Sequence, residues 1–528
     1  MVRRSRQIAA LVIISLGFCL ALGATVAFFT VNTPMSGGTV AETHKDIRQA
    51  RRSPEADAEP SLISSAAAPW NFAETAKLVS ADPATAAQMG FSVAVSGDTA
   101  IIGAPGEDNN RGSVSVFVRN GDSWQLQQKI TAPDSATDDH FGWSVAISGE
   151  TAVVGAYDLN EVDRGAAHVF IRNGLTWIQQ QKLTASDGTV TDQFGSSVSI
   201  SGDTVVVGAL GKDNSRGAAY VFVRSGSSWS QQQILAAGDA AAGDEFGTAV
   251  GISGERAVIG APGDDTFRGG AYVFEKNGTS WTQTAKLLAS DGSSFDRFAS
   301  CVGIDGDKTV MGAPSDEQNG ILTGSAYVFS GAGDTWQQQK LTAGDGAASD
   351  RFGESVSVNG SLIAVGANGD DISANPDQGS AYLFTMDGGG WAFAQKLLGS
   401  DGQAGDNFGG SVAVAQGALV IGSYLDDGIS TLDPGSAFIF SAPPMMALVS
   451  GRVLTPHGIG LKSATVTIRD AGSGAPLSVT TSTLGYFEFN VQSGRDYVIS
   501  VNSRRYRFAP VSISVDGDIS DLEFTGLE

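Results

Sequence analysis

The residues with the most chemical potential in this chain are carboxylates gathered in three late loops. Asp316 and Glu317 lie within Ser315 to Gly324; Asp370, Asp371 and Asp377 within Gly369 to Gly379; and Asp426, Asp427 and Asp433 within Leu425 to Gly435. Clusters of oxygen suit Ca²⁺, a hard cation that takes about six to eight oxygen ligands. Asp370, Asp371, Asp377, Asp426, Asp427 and Asp433 are therefore the candidate metal ligands, for weak Ca²⁺ binding at most. Solubility and turn formation explain the same acids without a metal. Beyond them the catalytic vocabulary is thin. The four histidines, His44, His140, His168 and His457, are scattered. No His-Glu-x-x-His, no phosphate-cradling Gly-x-x-x-x-Gly-Lys and no Gly-x-Ser-x-Gly in a strand-to-helix setting is present. Two cysteines, Cys19 and Cys301, supply neither a disulfide framework nor a zinc site. The expectation is a non-enzymatic protein with no cofactor. The alternative is a polysaccharide hydrolase or lyase whose two carboxylates come from distant parts of the chain, a pairing that sequence alone does not display.

Those loops occupy one place in a repeating unit. Its start, Phe-Gly, stands at Phe141, Phe194, Phe246, Phe352 and Phe408, with Met89-Gly90 and Phe298-Ala299 as degraded copies, at spacings of 52, 53, 52, 52, 54 and 56 residues. A Gly-Ala-Pro marker or a relative begins at Gly103, Gly155, Gly208, Gly260, Gly312, Gly366 and Gly422. A Tyr-Val-Phe type of strand ends at Phe117, Phe170, Phe222, Phe274, Phe329, Phe384 and Phe440. Each unit holds four short strand-type runs parted by turns such as Ser253-Gly254 and Asn277-Gly278, where glycine accepts the positive φ of a tight hairpin. Units of this length with four strands cannot bury their own faces and must stack as propeller blades.

A fourth marker decides how the ring closes. An aromatic followed by Lys and Leu appears at Phe72, Trp124, Trp177, Trp229, Trp281, Trp336 and Trp391, with Ile234 in place of Lys once. The first copy precedes the first Phe-Gly, and none follows Phe440. Phe72 to Leu78 is thus expected to complete the blade that holds Phe408 to Phe440, hiding both edges of the array. The fold class is all-β: a seven-bladed β-propeller of four-stranded blades, its N-terminal strand closing the last blade, followed by a small β-sandwich. Residues present in nearly every blade are assigned to turns and packing. Asp139, Asp192, Asp244, Asp296, Asp350 and Asp406, each two before the phenylalanine, are expected to cap backbone amides between blades.

These markers resemble the FG-GAP repeats of integrin α-subunit propellers, and more closely the bacterial variety. The resemblance covers about residues 70 to 440 and implies a rigid disc that engages a protein or glycan ligand through its loops. One departure matters. Calcium-binding integrin blades carry an Asp-rich loop between the Phe-Gly and Gly-Ala-Pro strands, whereas here that turn is only Ser-Gly-Asp at 96 to 98 or Ser-Gly-Glu at 148 to 150. The integrin calcium sites are not carried over.

The remaining segments concern address and partners. Residues 1–35 carry Arg3, Arg4 and Arg6 before an apolar run from Ile8 to Val31, which reads equally as a signal peptide or a membrane anchor with the N-terminus inside. Residues 36–69 read as a polar, disordered tether. The propeller spans 70–442. Residues 447–528 hold seven short alternating strands, a β-sandwich; Val449-Ser-Gly-Arg-Val453, Ala464 to Ile468 and Thr483 to Phe487 resemble the carboxypeptidase-regulatory, transthyretin-like modules. A net charge of −23 argues against nucleic acid. The expected protein is secreted or held in the cell envelope, its partners a surface protein or glycan and, if the N-terminal segment is uncleaved, the membrane.

Overall fold

The computed structural model describes residues 71–527 apart from 83–85, 122, 158–163, 334, 416, 428–433, 443–445, 472–474 and 516. Both N-terminal segments lie outside them. No helix of the described residues is long and apolar enough to cross a membrane.

Seven antiparallel four-stranded sheets follow one another along the chain. Blade 4 is representative: Ala249–Ser253, Arg256–Ala261, Gly270–Asn277 and Ser280–Leu287 pair in sequence order. The first strand of each blade touches the first strand of both neighbours in a closed cycle, so these strands form the inner wall around an axis. The second strands are mostly apolar and are buried along almost their whole length, as in Thr204–Ala209, because both of their faces meet other blades. Each inter-blade core is apolar, for instance Val153, Val169 and Leu183 of blade 2 against Phe194, Val207 and Tyr220 of blade 3. The ring closes as the marker order requires. Ala73–Leu78 runs antiparallel to Ser436–Ser441, with Ala73 opposite Ser441 and Leu78 opposite Ala437.

The paired motifs meet across the joints between blades. A Cβ on Gly103 of the first Gly-Ala-Pro would lie 2.0 Å from the carbonyl oxygen of Gly142 in the next Phe-Gly. Glycine is required there for close approach, and at Gly142 also for its φ of +94°. Two side-chain clasps repeat around the ring. Ser92, Ser144, Ser197, Ser355 and Ser411 donate to the Phe-Gly glycine carbonyl of the following blade at 2.7–2.9 Å. Cys301 takes the serine's place at 3.2 Å. On the outer strands Gln128, Gln181, Gln233 and Gln339 each hold both backbone groups of the next blade's tryptophan, and Gln395 does the same to Phe72 across the closure. Blade 4 has neither clasp toward blade 5, since Ala249 and Ala285 stand at the two positions. There Arg256 donates to the Gly331 carbonyl at 3.0 Å and lies over the Trp336 ring instead.

Met446–Leu454, Tyr486–Gln492 and Ile519–Thr525 form one sheet; Leu477–Thr480, Thr465–Asp470, Arg495–Asn502 and Val511–Val515 form a second. Val449, Phe489 and Phe524 from the first and Val466, Ile499 and Val515 from the second share one core, which makes the unit a β-sandwich.

Candidate binding face

Up-and-down blades sort their connections onto two faces. The short turns between strands one and two, and between three and four, share one face. The loops between strands two and three, and the crossings to the next blade, share the other. All the acidic loops singled out above belong to this second face, which also holds the start of every inner strand.

Most of its carboxylates are already engaged. The aspartates two before each phenylalanine accept a backbone N–H three residues back: Asp139 from Ala136, Asp192 from Thr189, Asp244 from Ala241, Asp296 from Ser293, Asp350 from Ala347 and Asp406 from Gln403, at 2.5–2.9 Å. These are the caps expected from sequence. Burial pushes the Asp406 carboxyl up to about 6.

A second set was not foreseen. In blade 6 the ammonium of Lys396 lies 2.7 Å from Asp345, which arrives on the crossing from blade 5, and 2.7 Å from Asp370 of blade 6's own loop. The Tyr382 hydroxyl donates to the same two carboxylates at 2.8 and 3.0 Å, and Ser380 donates to Asp370 at 2.5 Å. The group recurs as Lys286, Asp239 and Asp264; as Lys340, Asp291, Asp316 and Tyr327; and as Lys77, Asp401 and Asp426, with lysine to carboxylate at 2.6–2.7 Å throughout. Blade 3, with Ile234 where lysine belongs, recruits Lys212 from its own loop to Asp187 and Asp192. Burial alone would lower the Lys396 pKa, but its hydrogen bonds to Asp345 and Asp370 outweigh it and the net shift is upward. Burial would raise Asp345, and the Lys396 and Tyr382 hydrogen bonds reverse that. An ammonium therefore occupies the cation position between two carboxylates and ties adjacent blades together.

This places the candidate metal ligands. Asp370 and Asp426 point inward, the latter to Lys77 and Ser436. Asp371 is exposed and turns back to accept the Asp377 N–H at 2.9 Å. Asp377 is exposed, Asp427 is half-buried, and Asp433 lies outside the described residues. Among the described residues no three acidic, histidine or cysteine side chains converge as a metal site.

What remains open is the mouth of the axis. The residue before each Phe-Gly or its degraded copy has a left-handed backbone: Gln88, His140, Gln193, Glu245, Arg297, Arg351 and Asn407, with φ between 51° and 58°. Its side chain type differs from blade to blade, as does the residue after the motif, which is Phe91, Trp143, Ser196, Thr248, Ser300, Glu354 or Gly410. On one side these residues build an aromatic arc. Phe91 packs on Trp143 at 4.5 Å and on Tyr424 at 5.7 Å, and Trp143 packs on Tyr157 at 4.5 Å. The arc passes into amides where the Tyr424 hydroxyl donates to Asn407 at 3.1 Å and Asn407 accepts from Asn368 at 3.3 Å. Asn368 is 2% exposed and its Oδ1 has no hydrogen-bond partner. On the other side stand charges: Arg297 with Glu245 at 3.1 Å, Arg351, and Glu354, whose carboxyl is raised by burial against the pull of both arginines. Beside them Phe267 and Phe295 stack at 6.0 Å, with the Arg297 guanidinium 5.2 Å from the centre of the Phe267 ring. Phe295 is 63% exposed, and both phenylalanines have positive φ, 60° and 74°, a conformation that bulky residues avoid. The residues flanking Phe-Gly share no type, so repetition did not single them out; their variation from blade to blade was the usable signal.

No curated protein matches this chain. The FG-GAP repeat model matches residues 72–117, 124–170, 177–222, 229–274, 281–329, 336–384 and 391–440, more than half of the sequence and one match per blade. Each match begins on the outer-strand aromatic of one blade and ends on the third strand of the next, the same frame that the closing strand imposes. The chain belongs to the FG-GAP repeat family, as a seven-bladed propeller of the integrin-like type.

Proposed function

We propose that this is a non-enzymatic binding or adhesion protein, extracellular or held in the cell envelope, that engages a protein or glycan through the connection face of its propeller. The observation that carries this reading is the contrast within that face. Polar groups shared by the blades are spent on one another, whereas the unshared residues form an aromatic arc, an amide pair and a charged arc around the axis. Flat rings beside fixed charges and hydrogen-bonding groups are what a recognition surface needs. The Phe267–Phe295 pair supports the same reading, because bulky rings stand here at two left-handed positions where other blades place Asn110 and Ser215, or Asp138 and Ser349, and Phe295 is left largely exposed. In this reading the propeller is of the bacterial FG-GAP type, the terminal sandwich is an appended carboxypeptidase-regulatory, transthyretin-like module, and residues 1–35 deliver the chain to the cell surface.

The test is an array of glycans and extracellular protein fragments probed with the full chain and with Arg351→Ala and Phe295→Ser variants. A ligand retained by the native chain and lost by both variants is expected; ligands bound equally by all three would refute the mouth as the site. A second reading, a polysaccharide hydrolase or lyase, draws on Glu354 alone, a carboxyl of raised pKa suited to a general acid. Turnover of a polysaccharide that vanishes in Glu354→Gln would establish it in place of the first.

A further inference from the structure

Blades 1 and 2 depart from the tyrosine, lysine and carboxylate arrangement at the same position. Blades 3 to 6 place Tyr220, Tyr272, Tyr327 and Tyr382 on the third strand, all fully buried, and blade 7 places Phe438 there. Blade 1 has Ser115 and blade 2 has His168. His168 stands opposite Lys182 on the ladder as Tyr382 stands opposite Lys396, and it packs edge-on against Phe141 at 5.4 Å as Tyr382 does against Phe352 at 5.2 Å. An imidazole is shorter than a phenol, however. The Tyr382 hydroxyl reaches Asp345, whereas Asp134, the equivalent acid, is held by Lys182 at 2.6 Å with no bond from His168.

The unfilled volume is a pocket of about 190 Å³ lined by His168, Lys182, Arg164, Thr184, Asp139 and Phe141, among others. His168 is 1% exposed, and its Nδ1 has no hydrogen-bond partner. Burial, with Lys182 nearby, brings its pKa down to about 4, so the ring is neutral at physiological pH and offers one donor and one acceptor. Arg164 makes no ion pair among the described residues. A second pocket of about 320 Å³ lies in blade 1 and shares Ala132 with the first; Lys129 and Arg111 line it at the positions that Lys182 and Arg164 hold in blade 2, but Glu107 and Asp108 line it too and occupy them, Lys129 with Glu107 and Arg111 with Asp108 at 3.2 Å.

We propose that the blade 2 pocket is a subsite for one carboxylated pyranose ring of an acidic glycan. Size limits the occupant, since a cavity of about 150 Å³ accepts one benzene-sized ring. Chemistry selects it. Arg164 and Lys182, both in its lining, suit a carboxylate. Thr184, His168 and Asp139 suit ring hydroxyls, and Phe141 suits the C–H face of the sugar. Blades 3 to 7 cannot take such a ring, because an aromatic side chain already fills the place, and in blade 1 the cations are already paired. This site lies apart from the mouth and does not depend on it.

The test uses the full chain with galacturonate, trigalacturonate and uncharged galactose, followed by calorimetry and saturation-transfer NMR. Galacturonate should bind, trigalacturonate within about threefold of it because a single ring is held, and galactose should not bind. His168→Tyr should abolish binding at the blade 2 pocket and raise the unfolding midpoint by restoring the bond to the connection acid. Arg164→Ala, at an exposed position, should weaken trigalacturonate about tenfold with the midpoint unchanged, and it decides the matter if His168→Tyr misfolds. Failure of native protein to bind any uronate at millimolar concentration, equal binding of galactose, or unchanged binding in Arg164→Ala would overturn the proposal. Loss in Arg351→Ala but not in Arg164→Ala would move the site to the mouth and overturn it equally.

Discussion

Blade 6 and blade 2 have the same four strands, the same fourth-strand lysine and the same phenylalanine at their start, yet only blade 6 is filled. There Tyr382, Lys396, Asp345 and Asp370 close on one another, and nothing is left to offer a ligand. In blade 2 His168 stops short, and a pocket remains beside Lys182. The difference teaches that in this repeat a shared residue holds the ring together, whereas a departure from the shared type either finds a structural substitute, as Ile234 does in Lys212, or leaves an opening, as His168 does. The mouth follows the same rule, with one varied residue from each blade on a common left-handed backbone.

The largest test turns blade 6 into blade 2. Tyr382→His removes a buried ring and its two carboxylate hydrogen bonds, and should lower stability by about 3 kcal/mol in urea denaturation while opening a pocket beside Lys396. Asp370→Asn should lose about 2 kcal/mol, less than for a fully buried pair, because Lys396 is partly exposed and keeps Asp345. Asp371→Asn, on the exposed neighbour, should stay within about 0.5 kcal/mol. Had both aspartates served a ligand rather than the ring, the two changes would be alike in stability.

The clasps give a smaller effect. Gln395→Ala should lose about 1 kcal/mol through its two bonds to Phe72, and Ala285→Gln, which restores a clasp missing between blades 4 and 5, should gain about 0.5 kcal/mol. A pH series follows. The folded Asp406 carboxyl titrates near 6, above its unfolded value, so between those values the folded chain holds a proton that the unfolded chain has released. Its contribution to stability grows as pH falls through 6 toward 4 and is lost as pH rises. Asp239, Asp291 and Asp345 are depressed and behave oppositely: their contribution is present above the ordinary carboxylate range and fades as pH falls through their lower folded values. Asp406→Asn should accordingly compare best with the native chain at pH 7.5, and lose about 1 kcal/mol of that advantage by pH 5. The smallest effect is that of Ca²⁺. With Lys396 and Lys77 already between the inner carboxylates, millimolar Ca²⁺ should move the thermal midpoint by less than about 1 °C relative to chelator. A larger shift would restore the acidic loops as metal sites.

The ring was legible because its markers are backbone requirements. Glycine at 103 and 142, the phenylalanine series and the outer-strand aromatics recur wherever two blades must approach closely, and the early copy at Phe72 revealed the closing strand. The aspartate caps were legible for the same reason, each bonding within three residues of itself. The lysine groups were not. Asp345 and Lys396 are 51 residues apart and belong to different blades, so each looked like an isolated surface charge. That concealed partnership made Asp370 and Asp426 look like free ligands. The mouth was hidden by the opposite cause: Phe91, Trp143, Glu354 and Arg351 share no residue type, and a search for repetition passes over them. His168 was visible only as an exception whose meaning needed the tyrosines of the other blades.

The central claim is that shared residues support and unshared residues bind, and one paired measurement tests it most directly. Urea stability and ligand affinity, for the ligand found on the array, should be determined side by side in Asp370→Asn and Arg351→Ala. The account predicts a crossing: Asp370→Asn loses about 2 kcal/mol of stability and keeps its affinity, whereas Arg351→Ala keeps its stability and loses about tenfold in affinity. If Asp370→Asn were to lose affinity while still folded, or Arg351→Ala were to bind as the native chain does, the division between supporting and binding residues would be contradicted.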